Sequence, residues 1–313
     1  MLKKALKQLL GVPKSQSLRV ELQQRFRIPA NALVSSASNV QKYLPYPARR
    51  GYYVLQKADR DDHERNRDGF PIPPEPRAYG DTEEHWLNSG KRDVDTMLRI
   101  LNSSNFFIEK GNRILELGCA TGRMTRWLAS LAEECEIWGA DISARAIVWC
   151  QENLTPPFNF ATVTTVPHLP FEDRYFDLIF CGSVFTHIDD LADAWLLEIK
   201  RIMRPGGRAY VTVHDKHTAD VVINNNWESR EFIDWVIKYS LWPSQFRDLL
   251  ISSGGSKYLK NEDYYKISIL AGNEQPQVFY DIEHLRQHWG RWLKIITVTQ
   301  EAYWDQTAVL MEK

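Results

Sequence analysis

Residues 113–129, with the sequence RILELGCATGRMTRWLA, constrain the fold of this chain more than any other segment. A short β-rich run at 114–117 leads into a turn with glycines at positions 118 and 122, and a helix-compatible stretch follows at once. Glycine lets the backbone turn sharply and approach a ligand closely, and the first turn of a helix offers unpaired N–H groups. The segment therefore predicts a strand, a glycine turn and a helix that together hold an anionic group of a nucleotide-like ligand.

Strand and helix patterns alternate regularly from this segment onward. The predicted strands are 114–117, 136–140, 158–163, 176–181, 207–214, 293–299 and 306–311, and the helices between them are 123–132, 144–153, 191–203 and 281–289. Alternation of this kind indicates βαβ units, a parallel sheet and helices on both of its faces. We therefore expect a doubly wound, Rossmann-like α/β fold.

The remaining segments predict an arm and several additions to this core. Residues 1–80 are interrupted by prolines and are expected to form an irregular arm, and residues 81–313 are expected to form the domain. Within the domain we expect lid helices at 81–110 with a break at Gly90, a core at 111–214, an insertion at 215–262, and the last part of the core at 263–313. The insertion follows a strand end, where α/β enzymes collect substrate-binding elements.

The arm is strongly basic, although the whole chain has a net charge of only -1. Residues 1–60 hold twelve lysines and arginines against Glu21 and Asp59. Residues 1–12 predict a short basic amphipathic helix, which either docks on the protein itself or frays, or else contacts a membrane surface or a partner. Nucleic acid is not expected as a partner, because no arginine-rich tract interleaved with aromatic residues occurs. The oligomeric state is left open by the sequence.

The cysteines and the hydropathy pattern indicate a cellular compartment. The four cysteines, at positions 119, 135, 150 and 181, form no C-x-x-C pair, which is typical of free thiols in a reducing compartment. No apolar stretch approaches the roughly 18 residues needed to cross a bilayer. We therefore expect a soluble cytoplasmic protein, or one that is peripheral to the inner face of the membrane. No tight spacing of metal ligands occurs, so no metal is expected.

The spacing around the glycine turn narrows the ligand. A dinucleotide site requires G-x-G-x-x-G, whereas this turn has Gly118, Ala120 and Gly122, which disfavours a nicotinamide-dependent oxidoreductase. Glu116, inside the strand end, suits a ligand that carries an amino group. Asp141, at the end of the second strand, can accept hydrogen bonds from both hydroxyls of a ribose. Alternatively, each acid is a helix cap or a loop carboxylate.

Four blocks in this order resemble the class I S-adenosylmethionine-dependent methyltransferases. They are ILELGCATGR at 114–123, WGADIS at 138–143, LPFEDRYFDLIFCGSVFTHI at 169–188 and EIKRIMRPGGRAYVTV at 198–213. The resemblance implies a seven-stranded sheet, mostly parallel with the last strand antiparallel, and S-adenosyl-L-methionine as the cofactor. It implies that the loop of Gly118, Cys119, Ala120, Thr121 and Gly122 lies against the methionine part, that Asp141 holds the ribose and that Ile142 packs on the adenine.

Two parts of the match leave roles open. The place after the third strand, where the family usually has an acid for the adenine amino group, reads Thr164-Thr165-Val166. Thr165 and Val166 are therefore expected to contact adenine through a hydroxyl or backbone group. After the fourth strand, Ser183 and His187 occupy the place where the family lines the methyl-transfer site.

His187 and His214 are the candidate catalytic residues. His187 hydrogen-bonds the cofactor, positions the acceptor or acts as a base, or else merely opens the next helix. His214, at the end of the fifth strand, is a second candidate base, because histidine titrates near neutral pH. Methyl transfer needs a base only when the acceptor atom is protonated.

These residues support two functions. The first is methyl transfer to a small or medium acceptor, such as a sugar, a lipid-linked glycan or a secondary metabolite. The alternative is a non-catalytic scaffold that binds S-adenosylmethionine and is recruited through its basic arm.

Overall fold

The computed structural model describes residues 69–74, 82–188, 190–224, 266–269 and 277–313. The predicted amphipathic helix at 1–12, nearly all of the basic arm and most of the 215–262 insertion lie outside the described residues, so those expectations stay predictions. Among the described residues, no helix is both long enough and apolar enough to cross a bilayer.

A seven-stranded sheet forms the centre of the described structure. Its strands are β1 (Arg113–Leu117), β2 (Glu136–Asp141), β3 (Asn159–Thr162), β4 (Phe176–Cys181), β5 (Met203–Val213), β8 (Lys294–Tyr303) and β9 (Gln306–Glu312), and a separate two-stranded sheet contains β6 (Lys266–Ile269) and β7 (Gln277–Tyr280). The order in the large sheet is β3-β2-β1-β4-β5-β9-β8. Strands β1 to β5 pair in parallel, whereas β9 runs antiparallel to both β5 and β8. The predicted fold class and the antiparallel last strand are confirmed.

Helices cover both faces of this sheet. They are α1 (Glu83–Ser103), α2 (Ala144–Asn153), α3 (Ala192–Ile202), α4 (Lys216–Asn224) and α5 (Ile282–His288), with short 3₁₀ helices at Thr125–Leu128, Leu131–Glu133, Phe185–His187 and Trp289–Arg291. The central strand β4 is buried along its whole length. A parallel strand covered on both faces requires such a continuous apolar run, and FDLIFC at 176–181 supplies it with one exception, Asp177. Asp177 accepts a hydrogen bond from the N–H of Arg113 and pairs with Arg204.

The predicted helix break at Gly90 is wrong. One helix, α1, runs through this position, and Thr82 begins it by accepting a hydrogen bond from the N–H of His85. Gly90 serves packing instead, since a Cβ atom there would lie 2.3 Å from the backbone oxygen of Arg123. The helix therefore rests directly on the backbone that follows the glycine turn.

The predicted helix at 123–132 is also wrong. The structure has two 3₁₀ turns there, because three buried side chains fix this segment from different sides. The guanidinium of Arg123 pairs with Asp93 at 2.8 Å, Thr125 donates to Glu116, and Arg126 lies over the ring of Trp86. These tertiary contacts override a weak local preference for helix.

Replacing Gly90 by alanine tests the contact between α1 and this segment. Alanine favours a helix over glycine by about 1 kcal/mol, but the added methyl group meets a backbone oxygen that cannot rotate away. We expect Gly90→Ala to lower the free energy of unfolding by about 1 to 3 kcal/mol, measured by urea denaturation. Gly290→Ala is the matched control, because a Cβ atom at Gly290 meets nothing within 4 Å. A Gly90→Ala protein at least as stable as the wild type would contradict the close approach.

Candidate active site

The glycine turn after β1 has an unusual backbone conformation and is closely packed. Gly118 and Gly122 have φ angles of +82° and +74°, and Ala120 between them has +45°. A Cβ atom at Gly118 would lie 2.3 Å from Cγ2 of Val184, so no larger residue fits there. Cys119 is buried, and its N–H donates to the carbonyl oxygen of Ala140 at 3.2 Å, whereas Ala120 is exposed. Thr121 is half-buried at the same turn.

The carboxylate of Asp141 fastens this turn to the end of β2. One oxygen accepts a hydrogen bond from the N–H of Ala120 at 2.8 Å, and the other accepts one from the N–H of Ser143 at 2.7 Å. Burial raises the pKa of Asp141, and the backbone hydrogen bonds oppose that rise. Each carboxylate oxygen retains a further lone pair, so the group can also accept the two hydroxyls of a ribose.

Two apolar side chains are left in solvent next to Asp141. Ile142 is 53% exposed and Val166 is 42% exposed, at the carboxyl ends of the neighbouring strands β2 and β3. Thr165 is exposed beside Val166, and the hydroxyl of Thr162 is buried without a hydrogen-bond partner among the described residues. A flat, partly polar ring such as adenine would cover these apolar groups, and its nitrogens suit the hydroxyl and backbone groups here. The residues present therefore fit the adenosine part of S-adenosylmethionine.

Glu116 lies beneath the turn rather than at its rim. Its carboxyl group is only 4% exposed and accepts a hydrogen bond from the hydroxyl of Thr125. Burial raises the pKa of Glu116 to about 8, against the lowering effects of Thr125 and Arg123. A cationic group brought close to this carboxyl would favour its ionised form, which suits the amino group of a bound amino acid. The proposed contact with the ligand remains a prediction.

Ser183 and His187 follow β4, beside the glycine turn. Ser183 has a φ of +57°, and its hydroxyl lies 3.0 Å from the hydroxyl of Thr186. His187 ends a 3₁₀ helix, Phe185–His187, and is half-buried, so the expectation that it merely opens the next helix does not hold. The structure thus places both residues in one tight turn at the carboxyl end of a central strand.

His214 lies in a closed environment. It is 2% exposed, its ring stacks on Phe279, and its Nε2 lies 3.3 Å from Oε1 of Gln277. Burial, helped by the nearby His187, lowers the pKa of His214 to about 3. A buried imidazole with so low a pKa is a poor proton acceptor at neutral pH. The structure therefore favours His187 over His214 as the imidazole that can reach an acceptor.

Two residues of the last hairpin join this region without any sequence signal. Asp305 is buried with its carboxylate 3.8 Å from Nδ1 of His214, and burial raises the pKa of Asp305 to about 7. Gln306 hydrogen-bonds Ser183. Both lie more than a hundred residues beyond the glycine turn, where the last strand begins, and no local pattern marks either of them as part of this region. Within the described ranges, no group of three or more histidine, cysteine or acidic side chains is arranged to hold a metal ion.

Comparison with known proteins identifies the central part of the chain. Residues 115–211 match the family described as "Methyltransferase domain". The demethylmenaquinone methyltransferase of Lactiplantibacillus plantarum is 33% identical over 135 residues, which are 41% of this chain and 50% of that protein. The fatty-acid O-methyltransferase of Mycolicibacterium smegmatis is 30% identical over 31% of this chain and 35% of its own length. The chain thus spans half or less of the length of these relatives.

Among solved structures, the chain is similar to the Burkholderia thailandensis 1,6-didemethyltoxoflavin-N1-methyltransferase with bound 1,6-didemethyltoxoflavin and S-adenosylhomocysteine. It is 13% identical, covers 75% of this chain and 84% of its own, and has a TM-score of 0.45.

Removing the carboxylate of Asp141 tests its double role. In Asp141→Ala, the N–H groups of Ala120 and Ser143 lose their acceptor and the ribose hydroxyls lose theirs. We expect the affinity for S-adenosylmethionine, measured by calorimetry, to fall by about 1.5 to 3 kcal/mol, which is roughly 10- to 150-fold. Asp95→Ala, at an exposed position of α1, is the control and should bind normally. Affinity within twofold of the wild type in Asp141→Ala would refute the ribose assignment.

The raised pKa of Glu116 predicts a pH-dependent stability. Between its ordinary pKa of 4.5 and the folded value of about 8, the folded protein keeps a proton that the unfolded chain releases. Stability therefore falls as pH rises through this window. Glu116→Gln carries no such proton, so it should match the wild type near pH 5 and exceed it at pH 8, by on the order of 3 kcal/mol.

Urea unfolding at pH 5, 6.5 and 8 measures this difference. Glu109→Gln, at an exposed position, is the control and should show a difference from the wild type that does not change with pH. If the difference in unfolding free energy between Glu116→Gln and the wild type were also independent of pH, the pKa of Glu116 would not be raised.

Proposed function

We propose that the protein uses its methyltransferase domain, matched over residues 115–211, to transfer a methyl group from S-adenosylmethionine to a small or medium acceptor molecule. The observation that carries the proposal is the Asp141 carboxylate, which closes the glycine turn beside two solvent-exposed apolar side chains, Ile142 and Val166. This arrangement can hold a nucleoside at the carboxyl edge of the sheet. Ser183 and His187 follow β4, which is separated from β2 by β1.

The chemistry asks the protein for orientation more than for reactive groups. S-adenosylmethionine supplies a methyl group that its sulfonium already activates. The turn at Gly118 and the carboxylate of Asp141 would fix the bound molecule, and the segment at Ser183 would limit where an acceptor atom can approach. Positioning of this kind accounts for several kcal/mol of a barrier, in the range of about 7 to 11 for well-aligned groups. No catalytic triad is therefore required.

A cavity beside the carboxyl end of β5 supports a polar acceptor. Its volume is about 460 Å³, and it lies between the first turn of α4, the first turn of α5 and the end of β8. Its lining is mainly charged or polar, with few apolar side chains: Asp215, Lys216, His217, Asp220, Asp281, Ile282, Glu283, Arg286, Val298 and Gln300. Hydroxyl groups of a sugar or a glycan find hydrogen-bond partners in such walls.

Relatives named for demethylmenaquinone and for fatty acids also support a small-molecule acceptor. A lipid-linked glycan would combine a polar part with a lipid part, and its sugar suits the charged cavity. Its lipid would lie elsewhere, in keeping with the basic arm expected from the sequence. We therefore place sugars and lipid-linked glycans first among the acceptors to be tested.

Incubation with S-adenosylmethionine labelled on its methyl group tests the activity. Candidate acceptors are sugars, lipid-linked glycans and small metabolites from extracts of the source organism, and the readout is label in a product resolved by mass. The Asp141→Ala variant is the negative control, since it should bind the cofactor poorly. Cofactor binding with no labelled product from any acceptor would favour the non-catalytic scaffold instead.

The role of His187 is tested once an acceptor is known. His187→Gln keeps a polar side chain of similar reach but cannot take up a proton at neutral pH. If His187 removes a proton from the acceptor, turnover should fall about 100-fold or more while the affinity for S-adenosylmethionine stays within about twofold. The half-buried His85 of α1 gives the control His85→Gln. Unchanged turnover in His187→Gln would dismiss His187 from the chemistry.

A further inference from the structure

Two buried side chains, Thr212 and Gln306, form a closed ring of hydrogen bonds with the half-buried Ser183 behind the turn that follows β4. The N–H of Ser183 donates to Oγ1 of Thr212 at 2.7 Å, and that hydroxyl donates to Oε1 of Gln306 at 2.7 Å. The side-chain amide of Gln306 then donates to Oγ of Ser183 at 2.8 Å. Thr212 is 0% exposed and Gln306 is 3% exposed, so water does not compete for the bond between them.

The ring holds Ser183 in a backbone conformation that it would not otherwise keep. A φ of +57° is unfavourable for a residue with a Cβ atom and persists only where surrounding contacts impose it. Here both the backbone N–H and the side-chain hydroxyl of Ser183 are fixed, the first by Thr212 and the second by Gln306. Gln306 thus supplies one of three restraints, the third being the Thr186 hydroxyl, 3.0 Å from that of Ser183.

The conformation of Ser183 reaches the glycine turn through the next residue. Cγ2 of Val184 lies 2.3 Å from the place where a Cβ atom of Gly118 would be, so Val184 sits directly against the first glycine. The strands that carry these two turns, β1 and β4, are hydrogen-bonded neighbours. A shift of Ser183 would therefore move Val184 and change its close contact with the turn at Gly118.

The hairpin that carries Gln306 is itself anchored to the rest of the site. The ring of Tyr303 packs on Gly182, where a Cβ atom would lie 2.6 Å from it, and the Tyr303 hydroxyl accepts a hydrogen bond from Arg123 at 2.6 Å. The guanidinium of Arg92 on α1 lies 4.3 Å from the centre of the Trp304 ring. The turn between β8 and β9 is thus a fixed support.

We propose that Gln306 is a positioning residue for the cofactor site. It acts through Ser183 and Val184 to set the shape of the turn at Gly118, although it lies in the last strand of the sheet. The inference rests on the proposed function in one respect, namely that this turn binds S-adenosylmethionine.

Replacing Gln306 by methionine tests the proposal. Methionine has nearly the same length and shape but cannot bond either Ser183 or Thr212, so the buried hydroxyl of Thr212 and the half-buried hydroxyl of Ser183 each lose a partner. We expect the dissociation constant for S-adenosylmethionine, measured by calorimetry, to rise about five- to twentyfold. Gln287→Met is the matched control, because Gln287 is exposed on α5, and its affinity should not change.

A double-mutant cycle separates positioning from a general loss of stability. Ser183→Ala removes the hydroxyl through which Gln306 acts, so adding Gln306→Met to it should weaken binding by less than about twofold further. A purely structural effect of Gln306 would instead be the same in both backgrounds. Thr212→Val, which breaks the ring at another corner with an isosteric side chain, is a second variant and should weaken binding similarly.

The outcomes are distinct. If the wild type binds S-adenosylmethionine and Gln306→Met and Thr212→Val bind it equally well, the inference is overturned and the proposed function stands. Additive effects of Ser183→Ala and Gln306→Met overturn it too. Should Gln306→Met fail to unfold cooperatively, the affinity of Thr212→Val decides. A wild type that binds no S-adenosylmethionine overturns the proposed function and the inference together.

Discussion

The site depends on one carboxylate that accepts hydrogen bonds from two different loops. Asp141 takes the N–H of Ala120 on one oxygen and the N–H of Ser143 on the other, and so joins the turn after β1 to the start of α2. The turn needs such a tie, because Gly118, Ala120 and Gly122 all have positive φ angles and make no regular ladder. The side chain of Asp141 thus fixes the backbone of the turn and also supplies the hydrogen-bond acceptor for a ribose beside it.

Support for the turn comes from elements that precede and follow the core strands in the chain. Helix α1, which precedes the core, lies against the Arg123 backbone at Gly90, and the last hairpin fixes Ser183 through Gln306. The parallel core strands bring their carboxyl ends to one edge, which is where α/β proteins bind ligands. Elements outside those strands then hold that edge rigid. A rigid site loses less conformational freedom when a ligand binds.

Periodic and strongly buried segments could be predicted from the sequence, and contact-determined segments could not. Strand β4 and helix α2 have the bounds that their hydrophobic patterns indicate, and Asp141 follows its strand as expected. The 3₁₀ turns after Gly122 could not be foreseen, because buried side chains of that segment decide its path. For the same reason the roles of Gly90 and Gln306 needed the structure: both act on residues distant in sequence, and neither belongs to a local pattern.

The two acids of the site receive different hydrogen-bond donors, and this difference has a chemical use. Asp141 receives two backbone N–H groups, which favour its ionised form against the effect of burial. Glu116 is fully enclosed, receives mainly the hydroxyl of Thr125, and has its pKa raised to about 8, so near neutral pH it keeps its proton. A cationic group that came into contact with Glu116 would displace that proton. The protonated Glu116 thereby avoids a buried negative charge, and a charged pair would form only with a cationic partner at this place.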